Sequence, residues 1–213
     1  MFNGIIEYIG AVSSVSSLGR GKTLTVESGH LVERMKPGDS MAVNGVCITV
    51  TGIKDTVVEL EAAAETLSKT NLGLLHTGSR VNIERSLQAD ARVHGHWVAG
   101  HVDATSRVVK VLKGPESTMM SFGIDDEIRP FLVPRGSVAV DGVSLTVARL
   151  ESSVFTCSLV GFTLSHTTLG MMEKGSLVNI ETDVIGKYVV STLERMGATG
   201  GSITEEKMRG WGF

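Results

Sequence analysis

Two stretches of the chain share one sequence pattern, and each carries a candidate reactive side chain at the same position of that pattern. Residues 41–50 read MAVNGVCITV, and residues 138–147, which lie 97 positions later, read VAVDGVSLTV. Cys47 of the first stretch therefore corresponds to Ser144 of the second. A thiol becomes a strong nucleophile when its pKa is lowered, whereas a hydroxyl mainly offers hydrogen bonds. We expect the two halves to bind alike and to act differently, because equivalent positions carry different reactive groups.

Three histidines near the middle of the chain raise the alternative of a metal site. His94 and His96 have His-x-His spacing, which on a strand puts both rings on one face, as a zinc site requires. His101 stands at an odd separation and faces the other way in a regular strand. No third ligand is evident, and Cys47 and Cys157 form no metal or redox motif. We therefore expect no metal.

The same offset recurs in two further blocks, which indicates a duplicated domain. Residues 66–73 (TLSKTNLG) correspond to residues 163–170 (TLSHTTLG), and residues 78–84 (GSRVNIE) correspond to residues 175–181 (GSLVNIE). Copies of about a hundred residues have the size of a small domain and are too long for a solenoid repeat.

Short segments rich in Val, Ile and Thr, bounded by Gly or Asp, must position the reactive residues. In the first copy they are residues 22–26, 41–50, 57–61 and 80–84. Such segments predict an all-β barrel or sandwich in each copy. The two predicted domains are residues 1–96 and 97–183.

Two local features interrupt this pattern. The dipeptide Asn44-Gly45 and its counterpart Asp141-Gly142 fit a tight turn or a bulge, because Gly tolerates a positive φ. Both lie inside apolar runs, so we expect them to bend a strand rather than to end it. Residues 29–36 and 125–131 predict short helical or irregular crossings at equivalent places in the two copies.

A single helix is predicted after the second copy, over residues 184–196. Its apolar side chains recur with helical spacing and form one stripe: Ile185, Tyr188, Val189, Thr192, Leu193 and Met196. The stripe must be buried against another subunit, which we favour, or against the chain's own barrel. Residues 197–213 are rich in Gly and are expected to be flexible.

Composition excludes several classes of protein. Twenty basic and 23 acidic residues without a Lys/Arg cluster give no footprint for nucleic acid or an anionic membrane. No apolar run reaches the roughly 20 residues of a membrane span, and residues 1–7 do not form a signal sequence. We expect a soluble cytoplasmic protein.

The chain resembles the riboflavin synthase α-chain family over residues 1–196. The resemblance lies in residues 1–7 (MFNGIIE), 44–50 (NGVCITV), 65–73 (ETLSKTNLG), 95–103 (GHWVAGHVD) and 141–147 (DGVSLTV), and in the closing helix. It implies two similar six-stranded Greek-key β-barrels, followed by a C-terminal α-helix through which subunits form a homotrimer, and it allows for association with lumazine synthase.

The resemblance also implies a reaction. Two molecules of 6,7-dimethyl-8-ribityllumazine would give riboflavin and 5-amino-6-(D-ribitylamino)uracil by transfer of a four-carbon unit, without a metal or redox cofactor. The first barrel of one subunit would face the second barrel of its neighbour. Two similar pockets suit a reaction that joins two copies of one molecule. The alternative is a non-catalytic lumazine or flavin carrier on the same fold.

Site residues follow from the resemblance position by position. On the first barrel they are Cys47, Ile48, Thr49, Glu61, Ala62, Ala63, Ala64, Glu65, Thr66, Gly100, His101 and Val102. On the second barrel they are Gly4, Ile5, Ile6, Ser144, Leu145, Thr146, Ser158, Leu159, Val160, Gly161, Phe162 and Thr163. His101 is the candidate for proton transfer from the 7-methyl group of the substrate, with Ser144 and Cys47 as further catalytic candidates.

The chain departs from the family pattern at three places. Arg135 stands where the family usually has Lys, which keeps the charge but cannot act as a neutral amine. Residues 160–164 read VGFTL and lack the usual proline and a polar residue of this ligand-facing segment, and His94 replaces a Gly. These differences affect the expected geometry of the second pocket.

Overall fold

The computed structural model describes residues 1–196 as two closed antiparallel β-barrels and a helix. The first barrel contains β1 (Tyr8–Leu18), β2 (Gly21–Glu27), β3 (Ser40–Val43), β4 (Val46–Lys54), β5 (Val57–Ala62) and β6 (Arg80–Arg85). The second contains β7 (Ala104–Lys113), β8 (Ser117–Gly123), β9 (Ser137–Val140), β10 (Val143–Leu150), β11 (Val154–Val160) and β12 (Leu177–Thr182).

Both barrels have the same strand order. Around the first barrel the neighbours are β1-β2-β5-β4-β3-β6, and the second barrel repeats this order with β7 to β12. The second strand pairs with the fifth rather than the third, which makes a Greek key. The predicted fold class, all-β with two six-stranded Greek-key barrels and a C-terminal helix, is confirmed.

Alternation of side chains builds a separate core in each barrel. In β5, for example, Val58, Leu60 and Ala62 are buried and the residues between them face outward. The predicted crossing segments contain the 3-10 turns Gly29–Arg34 and Arg129–Phe131. Short helices α1 (Ala64–Lys69) and α2 (Gly161–His166) follow the fifth strand of each barrel.

The prediction that Asn44-Gly45 bends one strand is wrong, because the dipeptide ends a strand. Val43 pairs with Val46 across a two-residue hairpin turn, and β3 and β4 are separate antiparallel strands. Asn44 and Gly45 have φ angles of 46° and 76°, the left-handed pair that a tight hairpin of this twist needs. Asp141-Gly142 forms the same turn between β9 and β10.

The two hairpin tips meet at the contact between the barrels. A Cβ on Gly45 would lie 2.6 Å from the Gly142 nitrogen, so the backbones touch directly. Around them is a buried polar network in which the Asn179 side chain accepts the Asn71 N–H at 2.7 Å and donates to the Asn44 carbonyl at 2.8 Å. These bonds join the halves in one arrangement.

The helix α3 (Val184–Arg195) is capped at its N-terminus by Asp183, whose carboxylate accepts the Ile185 N–H at 3.0 Å. One side of α3 packs against the Arg129–Phe131 turn, and Lys187 forms a 2.7 Å ion pair with Asp103. The predicted stripe faces away, with Tyr188 72% exposed. The stripe therefore does not pack on the chain's own barrel.

Residues 197–213, predicted to be flexible, lie outside the described residues. Among residues 1–196 no helix combines the length and the apolar character that crossing a membrane would require.

Candidate active site

Each barrel carries a segment that comes from the other half of the chain. Residues 1–6 cross to the second barrel, where the Gly4 carbonyl accepts the Ser144 N–H at 2.8 Å. Residues 97–102 cross to the first barrel, where the Gly100 carbonyl accepts the Cys47 N–H at 2.9 Å. The segments are joined to each other by antiparallel hydrogen bonds between Phe2 and Val98. Both reactive positions therefore depend on contacts between the halves.

Glycine is required where each segment crosses. Gly4 and Gly100 have φ angles of +73° and +82°. A Cβ at Gly4 would lie 2.6 Å from the Ser144 Cβ, and one at Gly100 would lie 2.5 Å from the Cys47 Cβ. A larger residue would push the segment away from the reactive side chain.

Two buried carboxylates hold the crossing segments in place. Glu84 accepts the N–H groups of Asn3 at 2.7 Å and Gly4 at 3.0 Å, and Glu181 accepts those of Ala99 at 2.6 Å and Gly100 at 2.9 Å. Burial raises the pKa of Glu84 and of Glu181 to about 7. Sequence analysis missed these residues as site residues, although both end the repeated GSxVNIE block.

The Ser144 hydroxyl has a histidine partner that sequence analysis did not assign to it. The Nδ1 atom of His96 lies 2.7 Å from the Ser144 Oγ. Burial lowers the pKa of His96, so its imidazole is neutral at physiological pH, and its Nε2 has no hydrogen-bond partner in the described structure. The pair therefore combines a hydroxyl with a neutral base, as proton transfer needs. The repeat gave no signal for His96, because His96 lies outside the blocks that recur in both copies.

The first barrel has no such pair at the equivalent position. The Cys47 side chain is half-buried, and within residues 1–196 it makes no side-chain hydrogen bond. His101 is exposed and lies next to Gly100 on the crossing segment, without a hydrogen bond to the thiol. The structure thus pairs a histidine with Ser144 but not with Cys47.

The other predicted site residues divide into four groups. Outward-facing hydroxyls and a carboxylate continue the surfaces beside Cys47 and Ser144: Thr49, Glu61, Thr146 and Ser158. Four predicted residues point into the barrel cores, so only their backbone can meet a ligand: Ile48, Ala62, Leu145 and Leu159. Ile6 and Val102 pack at the edge of the core of the barrel to which their segment crosses.

The fourth group lies at the start of the short helices and in loops. Residues 63–66 are the N-cap and the first three residues of α1, and residues 160–163 are the same part of α2. In α2, Phe162 is 72% exposed and stacks on His166 with a centroid distance of 4.0 Å. The equivalent pair in α1 is the Glu65–Lys69 ion pair at 2.7 Å. Ile5 is exposed, and Arg135 lies in an exposed loop, where its N–H donates to the Val147 carbonyl.

Metal ligation finds no support in the described part of the chain. Among residues 1–196, no three His, Cys, Asp or Glu side chains are grouped so that they could hold a metal ion. His94 is exposed, whereas His96 is buried against Ser144.

Comparison with known proteins agrees with this arrangement. The lumazine binding domain model matches residues 3–86 and 99–183, one match for each barrel. "Riboflavin synthase" of Bacillus subtilis is 38% identical over 195 residues, which cover 92% of this chain and 91% of the relative. The chain belongs to the riboflavin synthase family. Other members are "Riboflavin synthase" of Mycobacterium tuberculosis, 38% identical over 92% of this chain and 100% of the relative, and that of Schizosaccharomyces pombe, 35% identical over 91% and 94%.

Solved structures share the family fold. LumP in complex with riboflavin superposes with a TM-score of 0.79 at 23% identity, and LumP in complex with 6,7-dimethyl-8-(1'-D-ribityl) lumazine superposes with a TM-score of 0.78 at 22% identity. Each match covers 85% of this chain and 99% of LumP. At this identity the likeness establishes the two-barrel fold.

Proposed function

We propose that the chain is a riboflavin synthase, a transferase that acts at the last step of riboflavin biosynthesis. It converts two molecules of 6,7-dimethyl-8-ribityllumazine into riboflavin and 5-amino-6-(D-ribitylamino)uracil by moving a four-carbon unit from one to the other. The observation that carries the proposal is the duplicated site, in which equivalent crossing segments hold Cys47 on one barrel and Ser144 on the other. Two like sites with unlike reactive groups suit one substrate used as both donor and acceptor.

The geometry supports different chemical roles for the Ser144 site and the Cys47 site. His96 is neutral and hydrogen-bonded to Ser144, so it is the group best placed to take a proton from the acidic 7-methyl group, directly or through the hydroxyl. This role replaces His101 as the leading candidate for the base, because His101 is exposed and unpaired in the described chain. Cys47 then belongs to the site of the second lumazine molecule.

The two lumazine sites of one chain do not combine into one active site. A packed cluster of Phe2, Ala42, Val98 and Ala139 lies between the barrels beside Cys47. Both site surfaces face outward, so two bound lumazines come into near-attack geometry only when a second chain supplies the facing barrel. The exposed stripe of α3 provides a contact for that chain, and the assembly that we propose is the homotrimer implied by the family resemblance. Association with lumazine synthase and a cytoplasmic location stay predictions.

Incubation of the full chain with 6,7-dimethyl-8-ribityllumazine alone, in the presence of a chelator, tests the activity. The expected result is one riboflavin formed for every two lumazine molecules consumed, followed by absorbance. A second candidate function, a non-catalytic carrier of lumazine or flavin, draws on the shared fold with LumP. Stoichiometric binding of lumazine without riboflavin formation would establish the carrier and reject the enzyme.

A further inference from the structure

A cavity of about 560 Å³ opens on the first barrel, and its lining contains neither Cys47 nor Ser144. The walls come from residues 3, 5 and 7, from the end of the Gly29–Arg34 turn and the start of β3, and from the end of β6 and the segment that follows it. Four basic side chains line it: Arg34, Arg85, Arg92 and His94. A volume of this size lies within the range of about 300–1,000 Å³ that is typical of small-molecule sites.

The cavity exists because the two halves continue differently after their last strand. In the second half, β12 is followed by α3, which packs on the Arg129–Phe131 turn, with Gly186 against the Phe131 backbone. In the first half no helix follows β6, and the corresponding surface is left open. The second half therefore shows the equivalent surface when a helix covers it, and the two surfaces can be compared residue by residue.

Two positions close to α3 in the second half correspond to arginines in the first half. The Met35 N–H to Val32 carbonyl bond corresponds to the bond from Leu132 to Arg129, so Arg34 occupies the position of Phe131. Arg85 pairs with Met41 as Thr182 pairs with Val138, so Arg85 occupies the position of Thr182. An apolar residue and a neutral residue in one half are thus arginines in the other.

Part of this positive charge is left without a partner. Glu7 neutralises Arg85 through an ion pair at 2.8 Å. Three ion pairs are found in residues 1–196, and none of them includes Arg34 or Arg92. Asp39 also lines the cavity, and its carboxylate accepts the Lys36 N–H at 3.0 Å.

The remaining carboxylate of the wall is occupied elsewhere. Glu84 accepts the backbone N–H groups of Asn3 and Gly4, so its oxygens are turned toward the crossing segment. It therefore does little to neutralise the two guanidinium groups.

We propose that this cavity binds a small organic phosphate, with Arg34 and Arg92 as the groups that hold the phosphate oxygens. A guanidinium presents planar paired N–H donors that match phosphate oxygens, which makes arginine the side chain of choice for this group. The cavity holds more than an inorganic phosphate ion, so the carbon portion of an ester contacts the walls. The cavity shares Ile5 with the predicted surroundings of Ser144, but Arg34 and Arg92 belong to neither predicted lumazine site, and phosphate binding does not depend on the proposed activity.

Calorimetric titration of the full chain in a phosphate-free, low-salt buffer tests the proposal, with ribose 5-phosphate, inorganic phosphate and ribose as three separate probes. The variants are Arg34→Phe, which installs the residue of the second half, and Arg92→Ala in the segment that follows β6. Arg20→Ala, an exposed arginine in the β1–β2 turn, is the charge-matched control. Circular dichroism melting of each variant verifies that it is folded.

The wild-type chain and Arg20→Ala are expected to bind one ribose 5-phosphate per chain, inorganic phosphate more weakly, and ribose not at all. Arg34→Phe and Arg92→Ala are each expected to weaken binding about tenfold or more, because each removes a charge-assisted contact. Absence of binding to the wild-type chain would overturn the proposal. So would equal losses in Arg20→Ala and the two cavity variants, since that result would show a general charge effect. Lumazine turnover is measured separately, and its failure leaves these results unaffected.

Discussion

Replacing Gly4 with alanine should disable the Ser144 site while leaving the Cys47 site intact. The new Cβ would lie 2.6 Å from the Ser144 Cβ and 2.8 Å from the Ser144 nitrogen, which is closer than atoms can approach. Because the Ser144 nitrogen belongs to the backbone of β10, the crossing segment must move instead. Movement breaks the 2.8 Å bond between the Gly4 carbonyl and the Ser144 N–H.

The size of the effect follows from two contributions. A left-handed backbone conformation costs an L-residue about 1–2 kcal/mol. Loss of the hydrogen bond costs about 1 kcal/mol more. The sum of about 2–3 kcal/mol corresponds to roughly 30- to 150-fold weaker binding at this site.

Fluorescence titration with 6,7-dimethyl-8-ribityllumazine measures both sites of the chain. We expect Gly4→Ala to retain one site of wild-type affinity and to lose most affinity at the other. Gly100→Ala should do the reverse, because its Cβ would meet Cys47. Gly19→Ala is the matched control, since Gly19 has a φ of +58° but no atom within 4 Å of the added Cβ. Two unchanged sites in Gly4→Ala, or an equal loss in Gly19→Ala, would refute the reasoning.

Three further predictions concern proton transfer, pH and assembly. His96→Gln and Ser144→Ala should each lower turnover about 100-fold or more with little loss of lumazine binding, in line with a general base, and wild-type rates would remove the pair from the mechanism. The pKa values of Glu84 and Glu181 are about 7 in the folded chain and 4.5 in the reference state, so the folded chain binds more protons and its free energy of unfolding should fall as pH rises from 4.5 to 7. Urea unfolding should show a shallower pH slope in Glu84→Gln and Glu181→Gln, and an unchanged slope would contradict these pKa values. A chain ending at Asp183 should sediment as a monomer, and an unchanged oligomer would show that α3 does not hold the chains together.

The local pattern identified the strands but misjudged two equivalent turns. The apolar runs around Asn44-Gly45 and Asp141-Gly142 hid two hairpins, because a run of buried residues looks the same whether it forms one bent strand or two paired strands. The left-handed φ angles of both dipeptides, which permit the reversal, appear only in the structure. The helix after the second copy was predicted correctly because its apolar spacing is a local property.

The sequence by itself determined the duplication, because repeated blocks at one offset are visible without any knowledge of contacts. It also set Cys47 and Ser144 at equivalent places, and resemblance to a family supplied the residues around them. Only the tertiary structure decided that His96 partners Ser144 and that Glu84 and Glu181 hold the crossing segments. Those contacts join residues far apart in the chain, and neither periodicity nor residue type specifies which distant groups the folded barrels bring together.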